Sequence, residues 1–593
     1  MTMQDFRGQG PPGDIGTFQF SSSVIVYKVT FSGTTYTCAA RRGDRGWVLV
    51  PNGYGTNSVT VINAALVAGK DVYLAEGTYD KAPADVIVMY VNNRLHGANW
   101  NATVINATGA PGAGGTVIRS ENPGVLDTDY IVIEDLTITC GGISGPGIDI
   151  QGHFLVVKRV QVNTSKTNTD GIRLRATAAG SPIVTIINSK IVDCGQDGIN
   201  ADGPDSHVVN CVIQGCARDG IAITGSDWGI INCHVFLNSV NGMNLTGKRY
   251  RISECYIDNN SHNGIVMSSS DCTKIVGTQF DKNGFGTNNT YASLDVLGGT
   301  GLAVVGCVFM DQNNHVRDGI RAETAVTNFT IAGNTFAAGH QTEGIGPIGS
   351  DWTIVGNNFK SMSYGIYCYS GLSKGLIADN VFQSCTTGIR LEVNCDNNFI
   401  VANLIDTATT GIVISGATCD NNRIGHNEFI TVTTCLDDTG TGTILPTLLL
   451  PFVDGTLSVT ADAAPKGWSI TLATNFALAL GVMPPNCHQS VRMKVHAISL
   501  AAEADGMRLQ VTADACQPDE AWDAEHIDIT KTSTTLNFAA NDGVIWTLTP
   551  ADDADVDDLI AGDQIEIKAI YAAATGADIA TNALLRCVEI QYV

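Results

Sequence analysis

Along most of this chain, apolar and polar residues alternate over four or five positions, and turns interrupt the alternation before it resumes. The run from Ile131 to Ile138 shows the pattern, with Glu134 and Thr137 among its polar positions. Such alternation is typical of a half-buried β-strand. The repeated segments are rich in Val, Ile, Thr, Asn and Gly, which favour strands and turns. The pattern therefore predicts many short strands.

A short phrase sets the spacing of these strands. It consists of a polar residue, then Gly, then an apolar residue that is usually Ile. Its glycines are Gly147, Gly171, Gly198, Gly220, Gly242, Gly264, Gly319, Gly344, Gly365, Gly388 and Gly411. A fixed period in the low twenties is the signature of a solenoid, whereas helical repeats have longer periods. The wide interval between Gly264 and Gly319 corresponds to two turns with one glycine missing.

A second ladder closes each coil with an apolar residue. Its members are Ile138, Val162, Ile191, Ile213, Val235, Ile257, Phe280, Phe309, Phe336, Phe359, Phe382, Ile405 and Phe429. Together the two ladders predict an all-β fold, a parallel β-helix of three short sheets with about 13–15 coils of 22–29 residues. We expect the glycine of each phrase to adopt a left-handed backbone conformation between sheets. We also expect the repeated Asn residues to form an internal hydrogen-bonded stack.

The ends of the solenoid differ in pattern from its coils. Val59, Ile62 and Leu66 follow helical spacing and predict a short helix that caps the first coil. The strict alternation of 491–498 and several later segments predicts an antiparallel, jelly-roll-like sandwich. The predicted regions in chain order are a Gly/Pro-rich flexible arm (1–20), an N-terminal strand region (21–55), the capped β-helix (56–440), an apolar linker (441–455) and a C-terminal β-sandwich (456–593).

The start of the solenoid resembles a known family. The segments 56–66 and 72–79, followed by Arg94-Leu95-His96-Gly97, are similar to the entry motif of the pectate-lyase superfamily. The preceding Val26-Tyr27-Lys28 resembles the lead-in of viral β-helix fibres and phage tailspikes. This resemblance implies a right-handed β-helix, a homotrimer, attachment to a virion through the N-terminal region, and a cell-surface polysaccharide as partner. It implies chemistry only weakly, because the fold hosts lyases, hydrolases, epimerases and inert fibres.

Composition narrows the partners and the compartment. The net charge is −24 and no basic stripe is present, so nucleic acid is not expected as a partner. No run reaches 18 apolar residues, which argues against membrane insertion. The first residues lack the basic and apolar regions of a signal peptide. We therefore expect a mature form or release by a route such as cell lysis, and a virion-borne or extracellular location.

The 17 cysteines do not indicate a metal site. No pair has Cys-x-x-Cys spacing, so zinc is not expected, and the sequence predicts neither a metal nor a cofactor. Cys211, Cys233 and Cys255 recur at the coil period, which suits small buried hydrophobic residues. Disulfides between adjacent coils are the alternative.

The first candidate catalytic group is a column of aspartates. Asn168-Thr169-Asp170 resembles the Asn-Thr-Asp motif of polygalacturonases, and Asp197 and Asp219 follow on the next two coils. Glycoside hydrolysis needs two carboxyl groups close together, which such a column offers. The later Gly-His-Gly and Arg-Ile-Lys motifs of that family are absent. The alternative is that Asp before Gly is simply a turn former, since other coils have Asn, Glu, Tyr or Thr there.

The second candidate group combines acidic and basic side chains on adjacent coils. It comprises His315, Arg317, Asp318, Arg321 and Glu323, with His340 and Glu343 one coil later. General acid–base chemistry uses these residue types, and a lyase would use the arginines to neutralise a uronate. We assign Arg321 and Glu323 as candidate catalytic residues and His315, Arg317 and His340 as candidate glycan-binding residues. The alternative is a solvated, salt-bridged rim.

Two tryptophans are further candidates for glycan binding. Trp228 and Trp352 each follow an Asp at a coil bend. An exposed indole there would stack on a sugar ring, whereas a packed indole would stabilise the bend.

The sequence thus predicts a virion fibre or tailspike that recognises a cell-surface glycan. In one form of this hypothesis the protein also depolymerises the glycan. A secreted glycoside hydrolase or polysaccharide lyase is the first alternative. A purely structural virion or surface protein is the second.

Overall fold

The structure is a computed structural model of the 593-residue chain. It describes residues 24–43, 46–113, 115–121, 130–152, 154–165, 169–176, 183–286, 290–310, 317–322, 326–337, 342–440 and 443, and the backbone of eight further strands between 447 and 592. The predicted arm of residues 1–20 lies outside this part, as does most of the predicted linker. The chain divides into two compact units, Met1–Tyr369 and Ser370–Val593.

The first unit opens with three antiparallel strands and one helix. The strands are Val24–Phe31, Thr34–Gly43 and Gly46–Gly55, and the helix is Ser58–Ala68. Asn57 caps the helix by accepting a 3.1 Å hydrogen bond from the backbone N–H of Thr60, as a polar N-cap residue should. The helix buries Val59, Ile62 and Leu66, which confirms the helical spacing found in the sequence.

The rest of the first unit consists of coils that contribute one strand to each of three parallel ladders. The first sheet contains the strands that begin at or beside the Gly-Ile phrase. Its strands are Ile87–Met89, Ile118–Ser120, Ile148–Gln151, Ile172–Arg175, Ile199–Asp202, Ile221–Thr224, Met243–Thr246, Ile265–Met267, Ala292–Val296, Asp318–Ala322, Glu343–Gly346 and Tyr364–Cys368.

The second and third sheets follow in each coil and are joined at the long strands Tyr130–Ile143 and Phe154–Asn163, which contribute to both. The other strands of the second sheet are Asp71–Leu74, Arg94–Gly97, Ile183–Ile187, His207–Val209, Gly229–Ile231, Arg251–Ser253, Lys274–Val276, Ala303–Val305, Thr330–Ala332 and Thr353–Val355. Those of the third are Gly77–Lys81, Thr103–Ala113, Lys190–Val192, Val212–Gln214, His234–Phe236, Tyr256–Asp258, Gln279–Asp281, Val308–Met310, Thr335–Phe336 and Asn358–Lys360. A short pair, Val326–Thr327 and Gly349–Ser350, lies outside these ladders.

The second unit repeats the same three-strand coil. Its first-sheet strands are Thr387–Leu391, Thr410–Ile414 and Thr434–Asp438. Its second-sheet strands are Leu376–Ala378, Phe399–Val401 and Arg423–Ile424, and its third-sheet strands are Val381–Gln383, Leu404–Asp406 and Glu428–Ile430. The two units together carry about 14 turns, which confirms the predicted β-solenoid.

The core is built from columns of identical or similar side chains. The Ile residues of the Gly-Ile phrase and the closing apolar residues of the second ladder are buried, as the strand alternation requires. Phe280, Phe309, Phe336 and Phe359 stack on successive coils with ring centroids 4.7–4.8 Å apart and nearly parallel planes. This spacing equals the distance between neighbouring strands, so each ring covers the next.

The predicted internal stack of Asn residues is confirmed. Asn238 donates through Nδ2 to Oδ1 of Asn260 at 2.9 Å, and Asn260 donates in the same way to Asn283. Asn334 and Asn357 form an equivalent pair, and Asn403 and Asn427 do so in the second unit. These amides satisfy backbone groups at the turns, where buried N–H and C=O groups would otherwise lack partners.

The expectation for the phrase glycines was wrong. None of them is among the residues with positive φ. Ten of them, all but Gly365, lie where the neighbouring coil passes too close for a side chain. A Cβ atom on Gly220 would lie 2.6 Å from Val235 Cγ1 and 2.7 Å from the carbonyl oxygen of Gly242. Polar residues at other turns, such as Asp193 and Asn210, adopt the left-handed conformation instead.

The ladder cysteines Cys211, Cys233 and Cys255 are buried free thiols, which agrees with their interpretation as small core residues. Each thiol donates to carbonyl groups of the backbone, for example Cys233 to Val208 at 3.4 Å.

The C-terminal strands form two four-stranded antiparallel sheets. The first contains Thr447–Pro451, Ser490–Ser499, Gly543–Leu548 and Ala583–Tyr592, and the second contains Phe476–Val482, Met507–Cys516, Ile527–Thr532 and Gln564–Ala573. The strand content agrees with the sequence pattern, while the packing of a sandwich stays a prediction. Among the described residues, none of the helices is long and apolar enough to span a bilayer.

Candidate functional site

Two buried carboxyl groups mark one part of the first sheet. Asp318 and Glu343 each begin a strand, are register partners on adjacent coils, and are both fully buried. Within the described part of the chain, none of their four carboxyl oxygens receives a hydrogen bond. Buried polar atoms are nearly always paired, so this arrangement calls for an explanation. A proton held between the two groups provides one.

The pKa values of both groups are shifted in the direction that sharing requires. Burial raises the pKa of Asp318 to about 6. Burial, together with the charge of Asp318, raises the pKa of Glu343 to about 9. Two carboxyl groups this close cannot both ionise easily. Near neutral pH the pair therefore holds a single proton, with Glu343 as its principal carrier.

Arg317 and Tyr369 lie next to the pair. The Arg317 side chain donates a hydrogen bond to the Tyr369 hydroxyl and places its guanidinium 5.6 Å from the centroid of that ring. Arg317 Nε is 3.5 Å from Asp318 Oδ1, and Nη2 is 3.9 Å from Glu343 Oε1. The Arg317 side chain is 32% exposed, so it connects the buried pair with the surface. Burial raises the pKa of Tyr369 to about 12, which keeps its hydroxyl protonated.

Hydrogen bonds of the coil fix the backbone of Arg317. Its N–H donates to the carbonyl of Tyr291 at 2.9 Å on the preceding coil, and its own carbonyl accepts from Thr342 at 3.1 Å on the following coil. The side chain thus projects from a backbone held on both sides. Preorganisation of this kind is what a positioned cation needs.

A second arginine is held by a carboxylate on the neighbouring coil. Arg321 binds Asp295 through two hydrogen bonds of 3.1 and 2.7 Å, the bidentate geometry that guanidinium and carboxylate favour. On the next coil the position aligned with Arg321 is Gly346. A Cβ atom there would lie 3.1 Å from Glu343 Oε1, so the missing side chain leaves room for the Glu343 carboxyl.

Aromatic rings lie on either side of this cluster. Tyr291 stacks on His262 with centroids 4.2 Å apart and planes tilted by 14°. On the other side, Tyr367 lies 4.6 Å from Tyr364 and 4.1 Å from Tyr369, centroid to centroid. Aromatic faces beside a few convergent polar groups are the usual lining of a small-molecule or sugar site.

The predicted acid–base cluster is thus partly assembled. Arg317, Asp318 and Glu343 lie close together. Arg321 lies further along the strand that begins at Asp318 and forms an ion pair with Asp295. His315, Glu323 and His340 lie outside the described residues, so their assigned roles stay predictions. Tyr369, Asp295 and the Tyr291–His262 stack were not predicted. Counting the coil register backward from Arg321 would have aligned it with Asp295.

The predicted column of Asp170, Asp197 and Asp219 exists, but its carboxylates are occupied. All three side chains are buried. Asp170 accepts from the backbone N–H of Asp197 at 3.2 Å, and Asp197 accepts from that of Asp219 at 3.0 Å. Asp219 accepts from both the backbone and the side chain of Asn241 at 2.9 Å. These contacts are those of a turn former, the alternative that the sequence left open.

Burial also shifts the pKa of this column. The pKa of Asp170 is raised, and that of Asp197 is raised to about 6, in both cases mainly by burial. Backbone N–H donors and Arg218, whose Nε is 3.6 Å from Asp197, oppose the shift. The column therefore consists of backbone-bound carboxylates on adjacent coils.

The two tryptophans are buried, which corrects the expectation of exposed stacking surfaces. Trp228 and Trp352 are each 1% exposed. The Trp228 indole N–H donates to the carbonyl of Gly203 at 2.7 Å, and the Trp352 ring packs against Phe329 with centroids 4.8 Å apart. Both therefore pack the coil bends, and neither offers a face for a sugar ring.

The described residues contain no group of three or more His, Cys, Asp or Glu side chains arranged to hold a metal ion.

Comparison with known proteins agrees with this architecture. The family model described as right-handed beta helix region matches residues 90–250 and 146–336. Residues 90–336 thus match a right-handed β-helix family, and the strands described along the solenoid form the parallel ladders of a β-helix. A second family model, described as periplasmic copper-binding protein (NosD), matches residues 287–444. No curated protein sequence matches the chain.

Several solved structures are similar to the chain at low sequence identity. The enzymatically active domain of tailspike protein 2 of bacteriophage CBA120 is 12% identical, with a TM-score of 0.40 over 99% of this chain and 88% of that domain. The mannuronan C-5 epimerase A-module of Azotobacter vinelandii is 14% identical, with a TM-score of 0.37 over 60% of this chain and 93% of that module. A thermostable α-1,3-glucanase from Streptomyces thermodiastaticus is 15% identical, with a TM-score of 0.34 over 65% and 66%.

Proposed function

We propose that this β-helix binds a cell-surface polysaccharide and hydrolyses its glycosidic bonds at the Asp318–Glu343 pair. The observation that carries the proposal is the pair itself: two buried carboxyl groups on adjacent coils whose oxygens receive no hydrogen bond from the described residues, and whose pKa values burial raises to about 6 and about 9. Glycoside hydrolysis needs one carboxyl group protonated and one ionised. Shifted pKa values of this kind concentrate at functional sites.

The assigned roles follow from the two pKa shifts. Glu343, which keeps its proton at neutral pH, donates it to the glycosidic oxygen as the bond to the anomeric carbon breaks. The Asp318 carboxylate forms a bond to that carbon. Glu343 then removes a proton from water, whose oxygen displaces Asp318. Adjacent strands are about 4.8 Å apart, close to the spacing of roughly 5–5.5 Å in retaining enzymes, so we assign net retention.

Arg317 and Tyr369 control access to the pair in this proposal. The Arg317 guanidinium leaves the Tyr369 hydroxyl and binds a sugar oxygen, which uncovers the carboxyl groups beneath. Tyr291 and Tyr367 present ring surfaces to flanking sugar residues. The partly exposed Arg317 side chain, whose contacts with the two acids are 3.5 and 3.9 Å long, supports this assignment.

The decisive experiment is digestion of a panel of bacterial surface polysaccharides by the intact chain. New reducing ends indicate hydrolysis, while absorbance from unsaturated products would indicate a lyase and contradict the proposal. We expect Asp318→Asn and Glu343→Gln each to lower the rate by roughly 10²–10⁴-fold. Proton NMR of the first product should show retained anomeric configuration.

A matched control lies in the same column of the solenoid. Asp219 also precedes a Gly-Ile phrase, and Asn241 occupies the same position one coil later. Asp219→Asn therefore places a naturally accepted residue in that column and should fold and retain the wild-type rate. A loss of activity in Asp219→Asn equal to that in Glu343→Gln would refute the assignment of the site.

We further propose that the chain is a virion-borne, homotrimeric tailspike attached through its N-terminal region. The resemblance of residues 26–28 to viral fibre lead-ins supports this setting. Native mass spectrometry of the full chain is expected to give a trimer. A strictly monomeric species would favour the secreted-enzyme alternative, and inert behaviour towards every glycan would favour a structural protein.

A further inference from the structure

A separate patch of aromatic side chains lies on the outward side of the third sheet. His234 and Phe236 are two residues apart on one strand and stack with centroids 3.9 Å apart and planes tilted by 16°. Tyr256, on the next coil, stacks on His234 with centroids 4.9 Å apart. All three rings are half-buried. The patch therefore presents a row of ring surfaces, on a sheet other than the one that carries the Asp318–Glu343 pair.

Two buried carboxylates hold these rings. Asp258 is 6% exposed and lies 2.6 Å from His234 Nε2. Asp281 is also 6% exposed, and its Oδ2 accepts from the Tyr256 hydroxyl at 3.4 Å. The other oxygen of Asp281, Oδ1, is buried and receives no hydrogen bond from any residue that the structure describes. This oxygen lacks the partner that a buried acceptor normally has, so the patch is polar and incompletely satisfied at its base.

Leu237 adds an independent sign of function. It follows Phe236, is 47% exposed, and adopts a φ of 55°. The left-handed conformation is unfavourable for a bulky residue, and about half of the Leu237 side chain stays exposed and gains no packing in return. The equivalent turn position holds Asp193, Gly215, Asn259 and Lys282 on neighbouring coils, mostly residues that tolerate this conformation. The chain thus places an apolar side chain beside the rings at a cost to its own stability.

We propose that His234, Phe236, Leu237, Tyr256, Asp258 and Asp281 form a non-catalytic binding site for an uncharged pyranose residue of a polysaccharide. The apolar C–H face of the sugar packs on the rings and on Leu237. A sugar hydroxyl donates to the Asp281 carboxylate, whose Oδ1 receives no hydrogen bond within the described ranges. The two carboxylates outnumber the one nearby cation, Lys282, whose Nζ lies 4.0 Å from Asp281 Oδ2, so the patch disfavours an anionic sugar.

This inference rests on the proposed function in one respect, namely that the ligand is a polysaccharide. The patch would hold a long polysaccharide on the third sheet of the first unit while the Asp318–Glu343 pair on the first sheet cleaves it. Binding and cleavage are therefore separable, and each can fail without the other.

The test is binding of the intact chain to an array of neutral and acidic bacterial surface oligosaccharides, followed by titration of the neutral glycans that bind. Phe236→Ala removes one ring and should weaken that binding roughly 3- to 10-fold. Asp281→Asn should also weaken it, since an amide accepts at only one atom. Glu343→Gln should abolish cleavage yet leave this binding in place, which separates the two proposals.

Leu237→Asn tests whether a loss of glycan binding could result from misfolding. Asn tolerates the left-handed turn, so this variant should unfold at a higher temperature than the wild type while binding the same glycans more weakly. The absence of any neutral ligand, a preference for acidic glycans, or unchanged affinity in both Phe236→Ala and Leu237→Asn would overturn the proposal.

Discussion

Asp318 and Asp197 occupy the same place in the repeat and begin the same three-residue phrase, Asp-Gly-Ile, yet their surroundings differ. Asp197 accepts a backbone hydrogen bond from the following coil at 3.0 Å. Asp318 is aligned with Glu343, and neither carboxyl group has a donor within the described residues. One carboxylate is thus committed to the turn, while the other shares its burial with a second acid.

This difference predicts a pH dependence of stability. The pKa of Glu343 is raised from 4.5 to about 9, so the native chain binds more protons than the unfolded chain between these values. The stability contributed by the protonated group is complete below its unfolded pKa and is lost as the pH rises towards 9. Glu343→Gln keeps the shape without the charge. It should be more stable than wild type at pH 9 by about 1–3 kcal/mol, measured by urea unfolding.

Asp197→Asn is the matched comparison for that measurement. The pKa of Asp197 is raised only to about 6, so this variant should change the pH slope below that value and leave the slope between pH 6 and 9 as in wild type. A Glu343→Gln chain with the wild-type slope between pH 6 and 9 would show that Glu343 is not protonated in the folded chain.

At the scale of the coil, the phrase glycines act through close packing of neighbouring backbones. Gly220 would place a Cβ 2.6 Å from Val235 Cγ1 and 2.7 Å from Asn238 Nδ2. These neighbours belong to the core and the Asn stack, and neither can yield easily. The spacing of the glycines therefore follows the points at which successive coils approach most closely.

Gly220→Ala should lower the free energy of unfolding by about 2 kcal/mol through overpacking. Gly306 provides the contrast: its φ is +63° and nothing lies within 4 Å of a Cβ there. Gly306→Ala should cost only about 1 kcal/mol, the penalty of the left-handed conformation. Urea unfolding of both variants measures the difference, and equal losses would contradict the packing explanation.

The buried Asn stack makes a second contribution at this scale. Asn260 donates to Asn283 and to the carbonyl of Val235, and its Oδ1 accepts from Asn238. Asn260→Ala strands several buried groups, each costing about 1–3 kcal/mol, so a loss of about 3 kcal/mol or more is expected.

An exposed Asn pair at the same spacing is the control. Asn232 donates to Asn210 at 2.9 Å on the surface, and its φ is 50°. Asn232→Gly preserves the turn and removes only an exposed hydrogen bond, so its loss should stay below about 1 kcal/mol. If thermal and urea unfolding show similar losses for the two variants, the internal stack does not stabilise the solenoid in the way inferred.

For the molecule as a whole, charge affects which glycans can approach. The chain carries 58 acidic and 34 Lys and Arg residues, a net charge of −24. Long-range repulsion slows the approach of a polyanion, and salt screens it. The association rate with an acidic polysaccharide should therefore rise between low and physiological salt, while that with a neutral polysaccharide stays constant. Surface plasmon resonance with immobilised glycans measures both rates, and a falling rate for the acidic glycan would indicate a basic binding surface.

The fold could be predicted from the sequence because every coil of a solenoid requires the same residue types at the same positions. Each coil has apolar residues at fixed inward positions, a glycine where neighbouring backbones come close, and an Asn at a buried turn. The amino-acid sequence therefore repeats with the period of the coil. The capping helix was readable for a similar reason, since it buries Val59, Ile62 and Leu66 along one helical face.

The role of a residue within that period was decided only by the tertiary structure. The sequence could not separate Asp318 from Asp197, because the difference lies in which groups the adjacent coil places opposite each carboxyl. It also could not show that Trp228 and Trp352 are buried, or that Tyr369 reaches Arg317 from 52 residues away. Periodicity is a local property that repeats, whereas hydrogen-bond partners, burial and pKa values depend on what neighbouring coils bring together in space.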